Sequence, residues 1–260
     1  MVVASLTLGG IVGVVLSGGF LWWEVGRYAS PQVPVTLFDE RKVLAAYTVG
    51  LFVGVPLAAA YVLLTISVAN GALLGGALFL AGLVGGTEVA QLLVVRSGYW
   101  GSTPAAPFYA VSLRTGVGGI LALAAVASYF AAAPSPTVVG VAVALLTAVA
   151  LVALEVAGSY LSFRARGRPS PTGGPWAGAL FGAVAFFLLG VGPTAGALGA
   201  IAAPLVVLLG ATLAFRGRRH LLADVPPPAG SGAPLPSDRP SAYGRTAPLP
   251  SSEPGDAKRS

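Results

Sequence analysis

The chain has 260 residues, of which 55% are hydrophobic and only 9% are charged, and its mean hydropathy is +0.83. A soluble domain covers its surface with about 25% charged residues, so this composition excludes a soluble fold and predicts a membrane protein. The chain has no cysteine, and its one histidine, His220, follows the last apolar segment, which excludes disulfides, thiolate metal sites, cysteine nucleophiles and haem ligation by two histidines.

The basic charge belongs to the apolar part of the chain. The net charge is +6, and all of it arises between Met1 and His220, because the remainder carries four residues of each sign. This distribution indicates a lipid bilayer as the partner, and it does not favour nucleic acid.

The apolar segments predict an all-α, polytopic transmembrane helix bundle. A crossing helix needs about 20 apolar residues, and seven segments meet that length. They cover residues 2–24, 43–66, 71–95, 108–132, 137–160, 175–192 and 196–215. The last two segments could also form one hairpin or a broken helix. The first has no basic residue after Met1 and no clear cleavage site, which favours a retained helix over a signal peptide.

Lysine and arginine are concentrated in alternate connections. The loops 24–42, 96–107 and 161–174 and the segment just after Phe215 hold ten of them, whereas the other connections hold none. The positive-inside rule then predicts an outside N-terminus and a cytoplasmic C-terminus, as an odd number of crossings requires. We expect the plasma membrane as the location.

Pairs of glycines four residues apart mark several of these segments. Small residues at this spacing let helices approach closely within one chain, and they also occur where a helix meets a membrane-protein partner or a second copy. The pairs are Gly50 and Gly54, Gly71 and Gly75, Gly82 and Gly86, and the series Gly174, Gly178 and Gly182.

Three odd-numbered segments share the pattern Glu-Val-Gly/Ala, beginning at Glu24, Glu88 and Glu155. The spacing is close to the length of one helical hairpin, so the pattern indicates three tandem hairpins and a closing helix. Because the pattern is three residues wide and uses common residues, chance similarity is the alternative. A true repeat predicts three carboxylates at one depth.

Glu88 and Arg114 are predicted to form an intramembrane ion pair. Glu88 precedes Arg96 by eight residues, and Arg114 follows Pro107 by seven, which puts both roughly 10–12 Å inside the same membrane face. A charged group at this depth costs about 2.5–3.5 kcal/mol on insertion and therefore needs a partner. Such a pair serves helix register, or it supports transport.

Glu155 is predicted as a proton or cation site. The following segment has no charged residue between 175 and 192, so Glu155 either shares Arg114 across the bundle or holds a proton. The polar residues near Glu155 in sequence either line a path for the proton or cation, or only cap helices and pack between them. They are Thr147, Ser159, Tyr160 and Ser162.

Charges and aromatic rings mark the predicted cytoplasmic interface. Glu24, Arg27, Arg41 and Lys42 are interpreted as a solvated interfacial rim. The rings are typical of an interfacial belt. They are Trp22, Trp23, Tyr28, Tyr99 and Trp100.

The tail from 221 to 260 is predicted to be disordered and cytoplasmic. It is rich in proline, serine and alanine and contains APLPS twice, and such a composition cannot bury a core. It is a solvated tail, or it docks a partner in the polyproline conformation.

No nucleotide-binding or zinc-protease motif occurs, and the last apolar segment has no lysine for a retinal Schiff base. We therefore predict no catalytic residue, cofactor or metal, and an enzyme is disfavoured. The leading hypothesis is a small transporter or ion-conducting protein using Glu155, with a polar cleft reaching it. The alternative is a structural or accessory subunit with a dry bundle and an apolar or glycine-lined outer face. A sensor and a lipid-modifying enzyme, with a groove at Glu24, Arg41 and Tyr47, are weaker hypotheses.

Overall fold

The computed structural model of the chain describes residues 2–25, 39–100, 106–132, 135–166 and 176–215. Regular structure in these ranges is entirely helical. The helices are α1 (Val2–Val25), α2 (Glu40–Ala69), α3 (Leu73–Arg96), α4 (Ala106–Ala132), α5 (Val138–Arg166), α6 (Trp176–Val191) and α7 (Gly196–Phe215), with a 3-10 turn (Gly192–Ala195) between α6 and α7. The predicted tail 221–260 lies outside the described residues.

The helix ends follow from local chemistry. α2 begins after Asp39, whose Oδ1 accepts a hydrogen bond from the Arg41 amide at 2.9 Å, the usual way to satisfy a free donor at a helix start. Gly71 and Gly196 have φ angles of 70° and 80°, a left-handed conformation that glycine adopts without steric cost. These two glycines lie in the turns that lead into α3 and α7.

Six helical stretches are long and apolar enough to cross a membrane, as the composition predicts. Five of them are α1 to α5, and the sixth runs from Trp176 to Phe215 through α6 and α7. α6 has 16 residues, so it is about 24 Å long and shorter than the about 30 Å of a bilayer core. Seven crossings therefore remain a proposal, to which we return below.

Within the stretch from Trp176 to Phe215, α6 and α7 run antiparallel. The ring of Phe181, near the start of α6, lies where it would meet a side chain at Gly210, near the end of α7. At the other end, Gly192 lies against Ala203. We call α6, the 3-10 turn and α7 the C-terminal hairpin.

α4 is the central helix of the bundle. In its most apolar window, 83% of the residues are buried, against 28–44% for the other stretches. Gly116, Gly118 and Gly119 face α2, α5 and α1 in turn, and a Cβ added at any of them would lie less than 3.0 Å from that helix. Helices α1, α2 and α5 therefore pack directly against the backbone of α4, as small residues in a membrane helix allow.

The other glycines divide into packed and open ones. Gly50 and Gly54 pack against α4, and Gly178 packs against α5. Gly82 on α3 has no neighbouring atom within 4 Å of an added Cβ. Glycine pairs predicted from the sequence thus serve contacts within the chain at some positions and face outward at others.

The antiparallel packing gives the bundle two ends. One, the basic end, carries Arg41, Lys42 and Arg96. The opposite one, the turn end, carries Asn70, the start of α5 and the 3-10 turn, and there the Tyr129 hydroxyl lies against Gly140 of the next helix. A functional group can therefore be placed by counting residues from either end.

Candidate functional site

Arg114 of α4 lies in the interior of the bundle, and its side chain is only 1% exposed. Its Nη1 donates to Oε1 of Glu88 on α3 at 2.8 Å, and its Nε donates to Oε2 of Glu155 on α5, also at 2.8 Å. We call Glu88, Arg114 and Glu155 the charge triad. One guanidinium thus joins three helices through charge-assisted hydrogen bonds, which are stronger than neutral ones.

Polar side chains on the same helix faces extend the triad. Gln91 lies one turn after Glu88, and its Oε1 accepts a hydrogen bond from Arg114 Nη1 at 3.1 Å. Ser162, two turns after Glu155, donates its hydroxyl to the carboxylate of Glu88 at 3.2 Å. α3 and α5 are therefore connected directly as well as through the arginine.

Two glycines make room for this cluster. A Cβ at Gly158 on α5 would lie 2.8 Å from Arg114 Nη2, so a larger residue would displace the guanidinium. Gly178 on α6 lies against Ser162, and a Cβ there would also come within 3.1 Å of Glu88 Oε1. The C-terminal hairpin therefore covers the triad from a fourth side.

The triad carries one negative charge in excess when both carboxylates are ionised. Among the described residues, three buried side-chain polar atoms have no hydrogen-bond partner: Glu155 Oε1 in the triad, Gln91 Nε2 beside it, and Ser159 Oγ, one turn after Glu155 on α5. An uncompensated buried charge costs several kcal/mol, and an unpaired polar atom costs about 1–3 kcal/mol. A proton or a small cation at Glu155 would neutralise the cluster and occupy a free oxygen.

The two carboxylates differ in access. The side chain of Glu88 is 10% exposed, whereas that of Glu155 is 0% exposed. Glu88 is therefore the more accessible of the two carboxylates that contact the guanidinium.

The sequence-predicted residues are brought together in part. Glu88 and Arg114 are in contact, and Glu155 shares Arg114, which is the first of the two arrangements considered for it. The Glu24 side chain lies outside the described residues, so three equivalent carboxylates stay a prediction. The valine of the Glu-Val-Gly/Ala pattern also has different environments, since Val89 is 55% exposed and Val156 is fully buried.

Sequence reasoning missed several contributors. Gln91 stands three residues after Glu88, a spacing that could have indicated its place on the same helix face. Ser162 was assigned to the surroundings of Glu155, but it bonds to Glu88. Gly158 gave no signal, and Gly178 was predicted only as part of a packing series, because the role of each beside the triad depends on which helices meet there.

The predicted rim is only partly described. Arg41 is exposed, while Lys42 donates to the Tyr99 carbonyl at 2.7 Å and lies 4.8 Å from the centre of the Tyr99 ring. The Glu24 side chain and Arg27 lie outside the described residues. Lys42 and Tyr99 thus connect α2 to the segment after α3, a contact that the sequence analysis did not predict, and their interfacial role stays a prediction.

A second feature lies at the turn end, where α2, α4, α5 and the C-terminal hairpin enclose a cavity of about 440 Å³. Glu155 is not among its lining residues. Buried Leu121, Leu151 and Phe186 occupy the levels of α4, α5 and α6 between the cavity and the triad. This cavity therefore does not supply the polar cleft to Glu155 that a transporter predicts, because an apolar layer lies between them.

Comparison of the chain with protein-family models, with curated proteins and with solved structures finds no match. The charge triad and the cavity therefore carry the functional inference.

Proposed function

We propose that the chain is a small membrane transporter in which the charge triad binds a proton or a small cation. The observation that carries the proposal is the excess carboxylate: two glutamates share one arginine, and Glu155 Oε1 has no partner among the described residues. Ionisable residues inside a membrane domain are costly, and they recur in proton and ion pathways.

A purely structural role is less well supported by the same contacts. Glu88 and Arg114 alone would form a neutral pair that fixes helix register. The second carboxylate, Glu155, adds a buried charge that gives no further neutralisation, and burial of this kind is expensive. A site that alternates between binding and releasing a positive charge needs such a group.

The membrane arrangement belongs to the same proposal. Seven crossings, with the N-terminus outside and the basic end in the cytoplasm, agree with the lysine and arginine distribution and with the antiparallel C-terminal hairpin. Since the chain has no cysteine, single cysteines at Ser97 and Ser128 can be labelled with an impermeant maleimide in intact cells. Labelling of Ser128→Cys alone is expected, and labelling of Ser97→Cys alone would reverse the orientation.

The transport proposal is tested by adsorbing proteoliposomes to a solid-supported membrane and applying a pH jump or, at constant pH, a sodium or potassium jump. Wild-type protein is expected to give a transient current as the triad takes up positive charge. Glu155→Gln should abolish it, because the amide cannot bind a proton in this range. Glu40→Gln, the same change at an exposed helix start, is the matched control and should keep the current.

Three results would contradict the proposal. One is a wild-type signal no larger than that of empty liposomes for all three jumps. Another is a full current from folded Glu155→Gln. The third is a loss of current in Glu40→Gln as large as that in Glu155→Gln. A current with the pH jump only would identify the proton as the bound species.

A structural or accessory subunit is the second candidate, and the open glycines favour it. Gly18 and Gly19 on α1, and Gly82 and Gly85 on α3, have no neighbour within 4 Å of an added Cβ, and small residues on an outer face allow close contact with another helix. Single cysteines at Gly19 and Gly82 can be cross-linked in native membranes. Formation of a specific heterodimer or homodimer would support this candidate, and its absence at both positions would count against it.

A further inference from the structure

The cavity at the turn end has the size of a small-molecule site. Its volume of about 440 Å³ falls within the range of about 300–1,000 Å³ that is usual for ligand pockets. It is lined by five helices and by the 3-10 turn, and it reaches inward to Tyr61, eight residues before the end of α2. This position is roughly 12 Å below that end of the bundle.

The wall of the cavity carries hydroxyl groups and no charge. Its lining residues include no Asp, Glu, Lys, Arg or His. Two hydroxyls are engaged, since Thr65 bonds to the Val62 carbonyl and Thr137 accepts from the Gly140 amide. The other four make no hydrogen bond to another described residue. They belong to Tyr61, Ser128, Tyr129 and Thr147.

The C-terminal hairpin adds a backbone acceptor. Pro204 lies inside α7, and proline has no amide hydrogen to donate to the carbonyl four residues earlier. That carbonyl belongs to Ala200, and both Ala200 and Pro204 line the cavity. Helical hydrogen bonding therefore leaves this oxygen available at the same place as the free hydroxyls.

We propose that the cavity binds a small uncharged molecule with an apolar body and at least one hydrogen-bonding group. The apolar lining accepts the body, while the hydroxyls of Tyr61 and Thr147 and the Ala200 carbonyl bind the polar groups. A charged molecule would lose its hydration without gaining a counter-ion. A lipid chain would leave the hydroxyls and the carbonyl unpaired.

The role of this molecule as the transported substrate rests on the proposed function, but its binding does not. The apolar layer of Leu121, Leu151 and Phe186 separates the cavity from the triad, so the cation and the neutral molecule occupy different sites. Along α5, Thr147 and Glu155 are eight residues apart, about 12 Å. A proton-coupled carrier of a neutral solute needs such a pair of sites.

Ligand-observed NMR with the full-length protein in nanodiscs tests the proposal. Benzyl alcohol, benzamide, benzoate and benzylamine serve as probes, because they share one ring and differ in charge. We expect binding of the two neutral probes only. Tyr61→Phe and Thr147→Val should each weaken it about five-fold, the equivalent of one ordinary hydrogen bond.

Matched controls separate a lost contact from a general disturbance. Tyr99→Phe and Thr212→Val make the same chemical changes at exposed positions away from the cavity, so they should leave binding unchanged. Binding that persists in Glu155→Gln would establish the cavity site even if the triad carries no current. A wild type that binds the neutral probes but gives no current would therefore refute transport alone.

The following outcomes would overturn the proposal. Equal binding of benzoate or benzylamine would remove the requirement for a neutral ligand. If Tyr61→Phe and Thr147→Val leave the binding of the neutral probes unchanged, the probes bind outside this cavity. A third outcome is that no probe binds while native mass spectrometry shows a lipid retained by the wild type. If that lipid is lost when Ala144→Leu fills the cavity, the cavity is a lipid site.

Discussion

Neutralising one glutamate of the charge triad should cost little, whereas neutralising both should destabilise the protein strongly. Glu155→Gln keeps an amide oxygen for Arg114 Nε, and Glu88→Gln keeps one for Nη1, at contacts that are now 2.8 Å long. Each single variant leaves one glutamate and one arginine, which together are neutral. The double variant leaves Arg114, 1% exposed, with no counter-charge at all.

The magnitudes follow from these contacts. A single variant exchanges an ion pair for a hydrogen bond from the arginine to an uncharged amide, a loss of about 1 kcal/mol, and it also removes the excess buried charge. We therefore expect each single variant within about 1 kcal/mol of the wild type. The double variant strands a buried cation and should lose about 3–5 kcal/mol. The two changes should thus be non-additive by at least about 1 kcal/mol.

Equilibrium unfolding in mixed micelles at fixed pH and detergent ratio gives the free energies, with Glu40→Gln as the control. A loss of more than about 3 kcal/mol in Glu155→Gln alone would refute the reasoning, because it would make this carboxylate a required structural partner. A double variant as stable as the wild type would refute it from the other side, since a buried lone arginine would then be tolerated.

Two further predictions concern packing and hydrogen bonding. Gly158→Ala should lower the free energy of unfolding by about 1–3 kcal/mol in the same assay, because its Cβ would lie 2.8 Å from Arg114 Nη2. The control Gly82→Ala, at an open helical position, should leave that free energy unchanged or raise it. Equal losses in the two variants would contradict the explanation. Ser17 and Tyr47 share a 2.7 Å hydroxyl hydrogen bond between α1 and α2, so a double-mutant cycle of Ser17→Ala and Tyr47→Phe should give a coupling of about 1 kcal/mol, and a coupling near zero would show that the bond contributes nothing.

The sequence carried information about depth but not about helix order. Counting residues from Arg96 and Pro107 placed Glu88 and Arg114 at one level, and these two residues meet in the structure. Because rise along a helix says nothing about which faces meet, the same method left two arrangements open for Glu155. The answer depends on α4 lying between α3 and α5.

Other features depended on contacts that no local pattern encodes. The bounds of the first five helices follow the apolar segments to within a few residues, with α2 and α5 extended at their polar ends. The cavity was not predicted, because Tyr61, Thr147 and Pro204 come from three helices far apart in sequence. The orientation and the disordered tail stay predictions from composition.

The C-terminal hairpin contacts both sites, and this has a mechanical consequence. Near its start, Gly178 covers the triad, and near its turn, Pro193 and Pro204 line the cavity. α4 is fixed on three sides by backbone packing against α1, α2 and α5, whereas the hairpin packs mainly on α5, outside those three contacts. A tilt about the level of Phe186 would move its two ends in opposite directions. If the chain transports as proposed, this rigid-body movement would couple the opening of one site to the closing of the other.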